Sequence, residues 1–436
     1  MGAERRCGAG YRTGFATAAP PGDSVPLKGT RAGLLAGLGL IAIVSQFFRS
    51  SLGVIAPELV RDLSLSPQAL GLAGGVFFLA LGTVQVPVGM SFDRIGPRRT
   101  VAWISVFAVA GALWMSLARS GPELIAGRFL VGVGCAASFM SVVLLMIRWY
   151  PGDRIATMYA RVFAVSQVGN LMAATPMAWM SEAFGWRAVF AGSAAVVVGV
   201  TAFFVWAVRD QPPGQPPVSA RGETLAQALR GFVEVFRLPG WRRVVAVHMV
   251  AYATLATMLG LWAGPYLHDV HGLDAVERGH VILAMSCAQV AGMLWLVPLE
   301  RRFDTRKGVI LVAGCGVVAI LLMLAALSDP PLWLAVTLMV ALCGVSTYSP
   351  IIIAHAASLT PAPLLGRGSA AANLGQVAGS FLLPVATGAI AGLFVRTEVG
   401  YPPQAYRWIF LFMAASLAAG LAVYSKARDL KPGRAA

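Results

Sequence analysis

Charge is what this 436-residue sequence lacks most: Asp, Glu, Lys and Arg together make 12% of it, against 57% hydrophobic residues and a mean hydropathy of +0.72. A soluble domain is about a quarter charged, so a core wrapped in a solvated surface is excluded. Cysteine is scarce and scattered. Cys7 falls in the N-terminal tail, while Cys135, Cys287, Cys315 and Cys343 fall in separate apolar stretches with no CxxC, which speaks against a disulfide framework or a thiolate metal site. No HxxxD, HExxH or GxSxG occurs, so the reading is of a non-enzyme; no Walker A loop offers ATP drive. Acids are missing from deep positions as well. Glu58, Glu123 and Glu182 come at one set of ends of the apolar stretches, Asp93 and Glu300 at the other.

What is there is oil in lengths that fit a bilayer. Crossing a hydrocarbon core takes about 20 apolar residues, and twelve stretches qualify: 32–57, 68–91, 99–118, 122–147, 155–180, 184–208, 242–267, 277–299, 308–327, 331–355, 368–394 and 404–425. The expected fold class is all-α integral membrane. Residues 1–31 carry basic residues but no apolar run before a cleavage site, so they read as a cytoplasmic N-terminal tail and not as a signal peptide. With that tail inside, 25 of the 34 Lys and Arg fall in inside segments and 6 (Arg61, Arg119, Arg187, Arg278, Arg396, Arg407) in outside loops. The positive-inside rule then puts both termini in the cytoplasm of a plasma membrane of the bacterial inner-membrane type. The formal charge of +15 is the sum of inside loops facing an anionic leaflet, and calls for no nucleic acid.

The chain also resembles itself. "PVGMSFD" at 87–93 answers "PLERRFD" at 298–304, Pro122 answers Pro331, "SFMS" at 138–141 answers "TYSP" at 347–350, Gln167-Val168 answers Gln376-Val377, and "RAVF" at 187–190 answers "RWIF" at 407–410. Six spans is an even number, so the two copies share one orientation and are related by an axis along the membrane normal. The expected organisation is a six-helix bundle at 32–208, a linker at 209–241, a second bundle at 242–425 and a tail at 426–436. Within the linker, "RDQPPGQPPVSARGE" is too rich in proline to span, and "TLAQALRGFVEVFRL" has the spacing of an amphipathic helix lying on the cytoplasmic surface.

Between the second and third spans stand Gly89, Asp93, Arg94, Gly96, Arg98 and Arg99. This stretch resembles the G-x-x-x-D-R-x-G-R-R/K signature of the major facilitator superfamily, and "GRFLVGVG" at 127–134 resembles its R-x-x-x-G signature in the fourth helix. The resemblance covers about residues 32–425 and implies two pseudo-symmetric six-helix bundles that carry a small solute by alternating access. Gly89 suits a close helix approach and Pro97 a helix first turn. Asp93 ends its own helix, where the dipole disfavours an anion. The resemblance implies that it meets the start of the eleventh helix, near Arg367-Gly368-Ser369, while the loop arginines pair with Asp153, as a gate formed only when the cytoplasmic side is shut. The later copy keeps Phe303, Asp304, Arg306 and Lys307 but has Glu300 where Gly89 stands.

Three arginines lie inside spans. At about 1.5 Å per residue, Arg49 is roughly 12 Å and Arg128 roughly 9 Å from the outer ends of their helices. A guanidinium at such depth normally faces a wet cavity, and two of them offer fork geometry to a carboxylate or phosphate. For Arg128 a structural role stays equally open; Arg161 is expected to snorkel. "FFRSSLGVIAPEL" at 47–59 resembles the first helix of organic-anion symporters, with Phe48 where an acid commonly precedes the arginine. Further cavity candidates are Gln46, Gln167, Tyr252, Trp262, Tyr348, Asn373 and Gln376, each of which also suits an interhelical hydrogen bond. His248 and His355 read as packing residues.

The function expected is therefore secondary transport of a small solute, an organic anion by the arginines. A drug–proton antiporter loses weight because "SQVGNLMAATPMAWM" lacks G-x-x-x-G-P-x-x-G-G. A copper carrier loses weight because the 16 methionines form no Met-xxx-Met and no His-xxx-Met pair. A sensor of the same fold and a membrane-embedded enzyme stay as readings from other classes. The expected partners are a small-molecule substrate, a coupling proton or sodium ion and the lipid bilayer, with no cofactor, no metal and a monomeric state.

Overall fold

The computed structural model describes residues 29–212, 234–327, 330–361, 364–397 and 400–429. The tail before residue 29, most of the linker with the first ten residues of its expected amphipathic helix, and the last residues lie outside that set; of that expected helix, 234–237 are described and helical. Among the described residues twelve helical rods follow one another. They are α1 (Arg31–Leu63), α2 (Pro67–Thr83 and Gln85–Ile95), α3 (Pro97–Leu117), α4 (Gly121–Trp149), α5 (Gly152–Ser166, Val168–Met172 and Thr175–Phe184) and α6 (Trp186–Ala207), then α7 (Trp241–His271), α8 (Ala275–Arg302), α9 (Arg306–Ala326), α10 (Leu332–Ser358), α11 (Leu365–Ala391) and α12 (Pro403–Tyr424). Ten are long and apolar enough to cross a membrane, and the two segments of α2, bent by 42°, make an eleventh. The remaining rod, α5, is interrupted at Gln167 and again at Ala173-Ala174.

Local chemistry places the starts. Prolines at the first turn open α2, α3 and α12, where a missing N–H costs nothing. The Thr30 hydroxyl caps α1 through the Gly33 amide at 3.1 Å, and Asp274 with Glu277 forms a reciprocal capping box on α8. Gly96, at φ +84°, turns the chain from α2 into α3, a conformation that disfavours any side chain.

Because the number of rods is even, both described ends lie on one face, called here the terminal face; the other is the distal face. The internal repeat survives as geometry. α4 breaks at Ala136 and α10 at Ser346–Tyr348. On the terminal face Asp210, just after α6, accepts the Arg98 amide at the start of α3 at 2.7 Å. Asp429, just after α12, does the same for α9, accepting the Arg306 amide at 3.2 Å, the Lys307 amide at 3.1 Å and the Thr305 hydroxyl. Partial burial pushes the Asp429 carboxyl up, but these donors outweigh it and hold the group below the usual carboxylate range.

The halves meet along three seams: α2 on α11, its repeat equivalent α8 on α5, and α1 on α7. All three are tightest toward the distal face. A Cβ on Gly71 would lie 2.5 Å from the Pro384 carbonyl oxygen, and one on Gly53 2.5 Å from that of Leu259. Small residues thus bring backbones into direct contact, the usual device where lipid removes the hydrophobic drive for association. Toward the terminal face the seams part. Gln85–Ile95, Ala137–Trp149, Gly152–Ser166 and Ser349–Ser358 each pack within their own half. The molecule is closed distally and open at the terminal face.

Candidate functional site

Where the seams begin to part, halfway along α1, a cavity lies between the halves. The first half contributes Gln46, Arg49, Ser50, Phe78 and Asn170; the second contributes Tyr252, Leu255, Ala256, Leu259, Gly260 and Gln289. Arg49 is half-buried at its centre. Its guanidinium lies against the rings of Phe139 and Phe78, at 5.2 and 5.8 Å from their centroids, and Nη1 donates across the gap to the Tyr252 hydroxyl at 3.3 Å. Its Nε is buried without a hydrogen-bond partner. An amide and hydroxyl net supports the same wall. The Ser50 hydroxyl donates to Asn170 Oδ1 at 2.8 Å, Asn170 Nδ2 donates to Gln167 Oε1 at 2.7 Å, and Gln46 Nε2 donates to that oxygen at 3.4 Å. Opposite, Gln289 is 8% exposed and its Oε1 has no partner.

Arg128 reaches the same depth and does something else. It is fully buried. Nε donates to the Ala73 carbonyl at 3.3 Å, Nη1 to the Phe48 carbonyl at 2.5 Å and the Ser51 hydroxyl at 3.1 Å, and Nη2 to the Arg49 carbonyl at 3.4 Å. It ties α4 to α1 and α2. The expected pair of guanidiniums therefore does not converge on the cavity: one faces it and the other is spent on backbone.

Other expected residues land elsewhere. Trp262 and Tyr348 are fully buried; the Trp262 indole donates to the Thr387 hydroxyl at 2.8 Å. Both belong to the core of the second half. Gln167 sits behind the wall it supports. Asn373 is exposed and Gln376 half-buried on α11, terminal to Val377, which packs on Gly82 where α2 bends away. His355 is buried, its ring nitrogens meeting the Tyr424 hydroxyl at 2.7 Å and the Arg428 carbonyl at 3.0 Å.

At the terminal face Asp93, Arg94 and Arg99 are exposed, and Arg98 donates to the Val205 carbonyl at 2.6 Å. The side chains of Asp153, Arg367 and Ser369 lie outside the described residues. Gly89 brings no close approach in this state, since a Cβ there would meet Met140 at an ordinary 3.6 Å. On the distal side Arg278, expected in an outside loop, is instead a buried residue of α8. It forms an ion pair with Glu58 of α1 across the halves and also donates to the Val54 and Leu273 carbonyls at 3.3 and 3.1 Å. Among the described residues no three His, Cys, Asp or Glu gather to hold a metal.

Sequence reasoning missed Ser50, Phe78, Asn170, Gln289 and the Glu58–Arg278 pair. Gln289 had a signal, as the one amide in α8. Asn170 had none, because the break at Gln167 resets the helical register that would have told its face.

Two pseudo-symmetric six-helix bundles that enclose a polar midspan cavity, closed on one side and open on the other, define a solute carrier that works by alternating access. A family model described as the Major Facilitator Superfamily matches residues 38–384 and 279–435, and the chain belongs to that family: it is a membrane transporter and not an enzyme. A protein of Agrobacterium vitis named as a tartrate transporter is 23% identical over 72% of this chain and 81% of its own length. One of Escherichia coli K12 named for galactarate and D-glucarate is 23% identical over 58% and 63%, and one of Cupriavidus necator named for sulfoacetate is 23% identical over 56% and 59%. In fold, the chain is similar to a bacterial homologue of the human lysosomal transporter Spinster (TM-score 0.71, 19% identity, 92% of this chain and 97% of that one). It is likewise similar to a D-xylose–proton symporter (TM-score 0.71, 14% identity, 91% and 97%).

Proposed function

We propose that the chain carries a small organic anion across a bacterial-type inner membrane, and that Arg49 is the group that binds it. The observation that carries this reading is the midspan guanidinium with an unpartnered Nε facing a cavity lined by no acid among the described residues. A charge at that depth costs from about 3 to over 10 kcal/mol depending on method, and a bound carboxylate offsets it. The relatives named for tartrate, galactarate or glucarate, and sulfoacetate support the same class. In this reading residues 32–208 and 242–425 rock as two units about the site in a monomer. The terminal face, with both termini, is cytoplasmic, and a proton or sodium gradient supplies the drive.

The test is uptake of labelled small carboxylates by the purified protein in liposomes, with imposed pH or sodium gradients to identify the ion. Arg49→Lys keeps the charge and loses the fork, and is expected to weaken transport at least tenfold. Arg49→Ala is expected to abolish it with little change in melting temperature. Transport that survives Arg49→Ala overturns the reading.

A further inference from the structure

Resting on that reading, we propose that the substrate carries one negative charge, at one end, and neutral hydrogen-bonding groups at the other: a hydroxylated monocarboxylate, selected against the matching dicarboxylate. The relatives above are named for compounds with two acidic groups, so this goes against transfer of the substrates in their names.

Among the described residues the cavity offers one free cation. Arg49 presents an unpartnered Nε. Arg128, the only other arginine at that depth among the described residues, has all three guanidinium nitrogens on protein oxygens of α1 and α2 and no exposure. Arg278 is committed to Glu58 and two carbonyls near the distal end. Arg161 is exposed, toward the terminal end of α5. The wall facing Arg49 is neutral: Tyr252, Leu255, Ala256, Leu259 and Gln289.

When the terminal side closes, water leaves the cavity. A second carboxylate would then sit against three aliphatic side chains, the Tyr252 hydroxyl and the Gln289 amide, with neutral donors and no counterion. Burying an ion without a partner is far costlier than burying a hydroxyl that finds one. The unpartnered Gln289 oxygen, nine-tenths buried, calls for a donor. A hydroxyl supplies one; a carboxylate has none to give that oxygen, and from the amide nitrogen and the Tyr252 hydroxyl it gains neutral hydrogen bonds only. The amides of Gln46 and Asn170 and the Ser50 hydroxyl meet further hydroxyls near the charged end.

The experiment uses the full-length protein in detergent and measures binding of three matched pairs at neutral pH: glycerate and tartronate, threonate and tartrate, gluconate and glucarate. Each pair differs only in one end, hydroxymethyl against carboxylate. The expected result is that at least one monocarboxylate binds, at least tenfold tighter than its partner, and that Arg49→Ala abolishes that binding. Gln289→Lys, which adds the missing cation, is expected to reverse the preference within that pair. A dicarboxylate that binds as tightly as its partner, or tighter, overturns the proposal while leaving the organic-anion reading intact. Binding by none of the six overturns it too. The broader reading falls as well only if no other small carboxylate shows uptake that depends on Arg49.

Discussion

The distal and terminal ends of the seam between the halves are built from different chemistry. Distally, backbones touch through Gly53, Gly71 and Gly264, and one ion pair, Glu58–Arg278, is enclosed there with Arg278 1% exposed. At the terminal end, the side chains named by the family signature hold charge but, among the described residues, no partner from the other half: Asp93, Arg94 and Arg99 are exposed. Packing contacts lose about a quarter to a half of their attraction over a gap of about 0.5–1 Å, whereas an exposed charge acts over roughly 8–10 Å at physiological salt and is weakened as salt rises. One gate is therefore a fit that is made or lost as a whole. The other is a set of solvated charges, which the family resemblance implies would meet the opposite half only when that face shuts.

The strongest way to break this difference is to spoil the fit. Gly264 of α7 faces the Gly53 carbonyl of α1 so closely that a Cβ would overlap it, and both partners are backbone. Gly264→Leu is expected to hold the distal side apart, cutting transport at least tenfold and moving the population to a distally open state. Single-cysteine labelling from each side reads this out: Ser50→Cys, in the cavity, gains distal accessibility and loses terminal accessibility. Labelling unchanged from the parent would show that the seam relaxes around the leucine.

The same contrast explains what the sequence could tell. The spans were legible to within a few residues for most rods, because apolar length is a one-dimensional quantity; the internal repeat was legible too, but the equivalent breaks it carries in α4 and α10 were not. Direction was not legible. A helix surrounded by helices and lipid is apolar all round, so nothing in the pattern says which face of α7 or α10 meets the cavity, and Trp262 and Tyr348 point into the core of their own half. Breaks compound the problem. The bend at Val84 and the interruptions of α5 reset rotation, which is how Asn170 escaped notice. Arg49 and Arg128 share a residue type and a depth; what separates them is the set of carbonyls that helix packing brings to one and not to the other. Arg278 was assigned to a loop because arginine near a span end usually is one, and only the approach of α1 reveals Glu58 as its partner.

A milder test acts on the charge within the distal seam. Glu58→Gln leaves Arg278 almost fully buried without its carboxylate. Breaking a wholly buried pair costs about 3–5 kcal/mol; here the Glu58 side chain is 21% exposed and two carbonyls remain, so roughly 2 kcal/mol is a fair expectation. The closed distal seam alone bears that cost, so the population shifts toward the distally open state while the folded protein persists. The Ser50→Cys reporter should change in the same direction as in Gly264→Leu, by less. A change in the opposite direction would mean that the pair strains the closed seam instead of holding it.

The smallest effect is expected at the terminal gate, and its sign is reversed. Asp93 is exposed at the end of α2, in a state where the halves stand apart on that face, so Asp93→Asn removes nothing that this conformation uses. The conformation expected to lose is the other one, in which the family resemblance implies that the loop of α2 closes on the start of α11 and its carboxylate meets the positive end of that helix. Such an interaction contributes about 0.3–1 kcal/mol, up to about 2 when partly buried, so the population moves toward the terminally open state by a few-fold. Glu58→Gln and Asp93→Asn thus push the reporter in opposite directions, and the double variant should fall between the two single variants, nearer Glu58→Gln, if the two gates act on one equilibrium. Salt separates them further. Raising ionic strength should mimic Asp93→Asn, whose charge is solvated here, and leave the enclosed distal pair almost untouched; equal sensitivity at both ends would show that the two gates do not differ in kind.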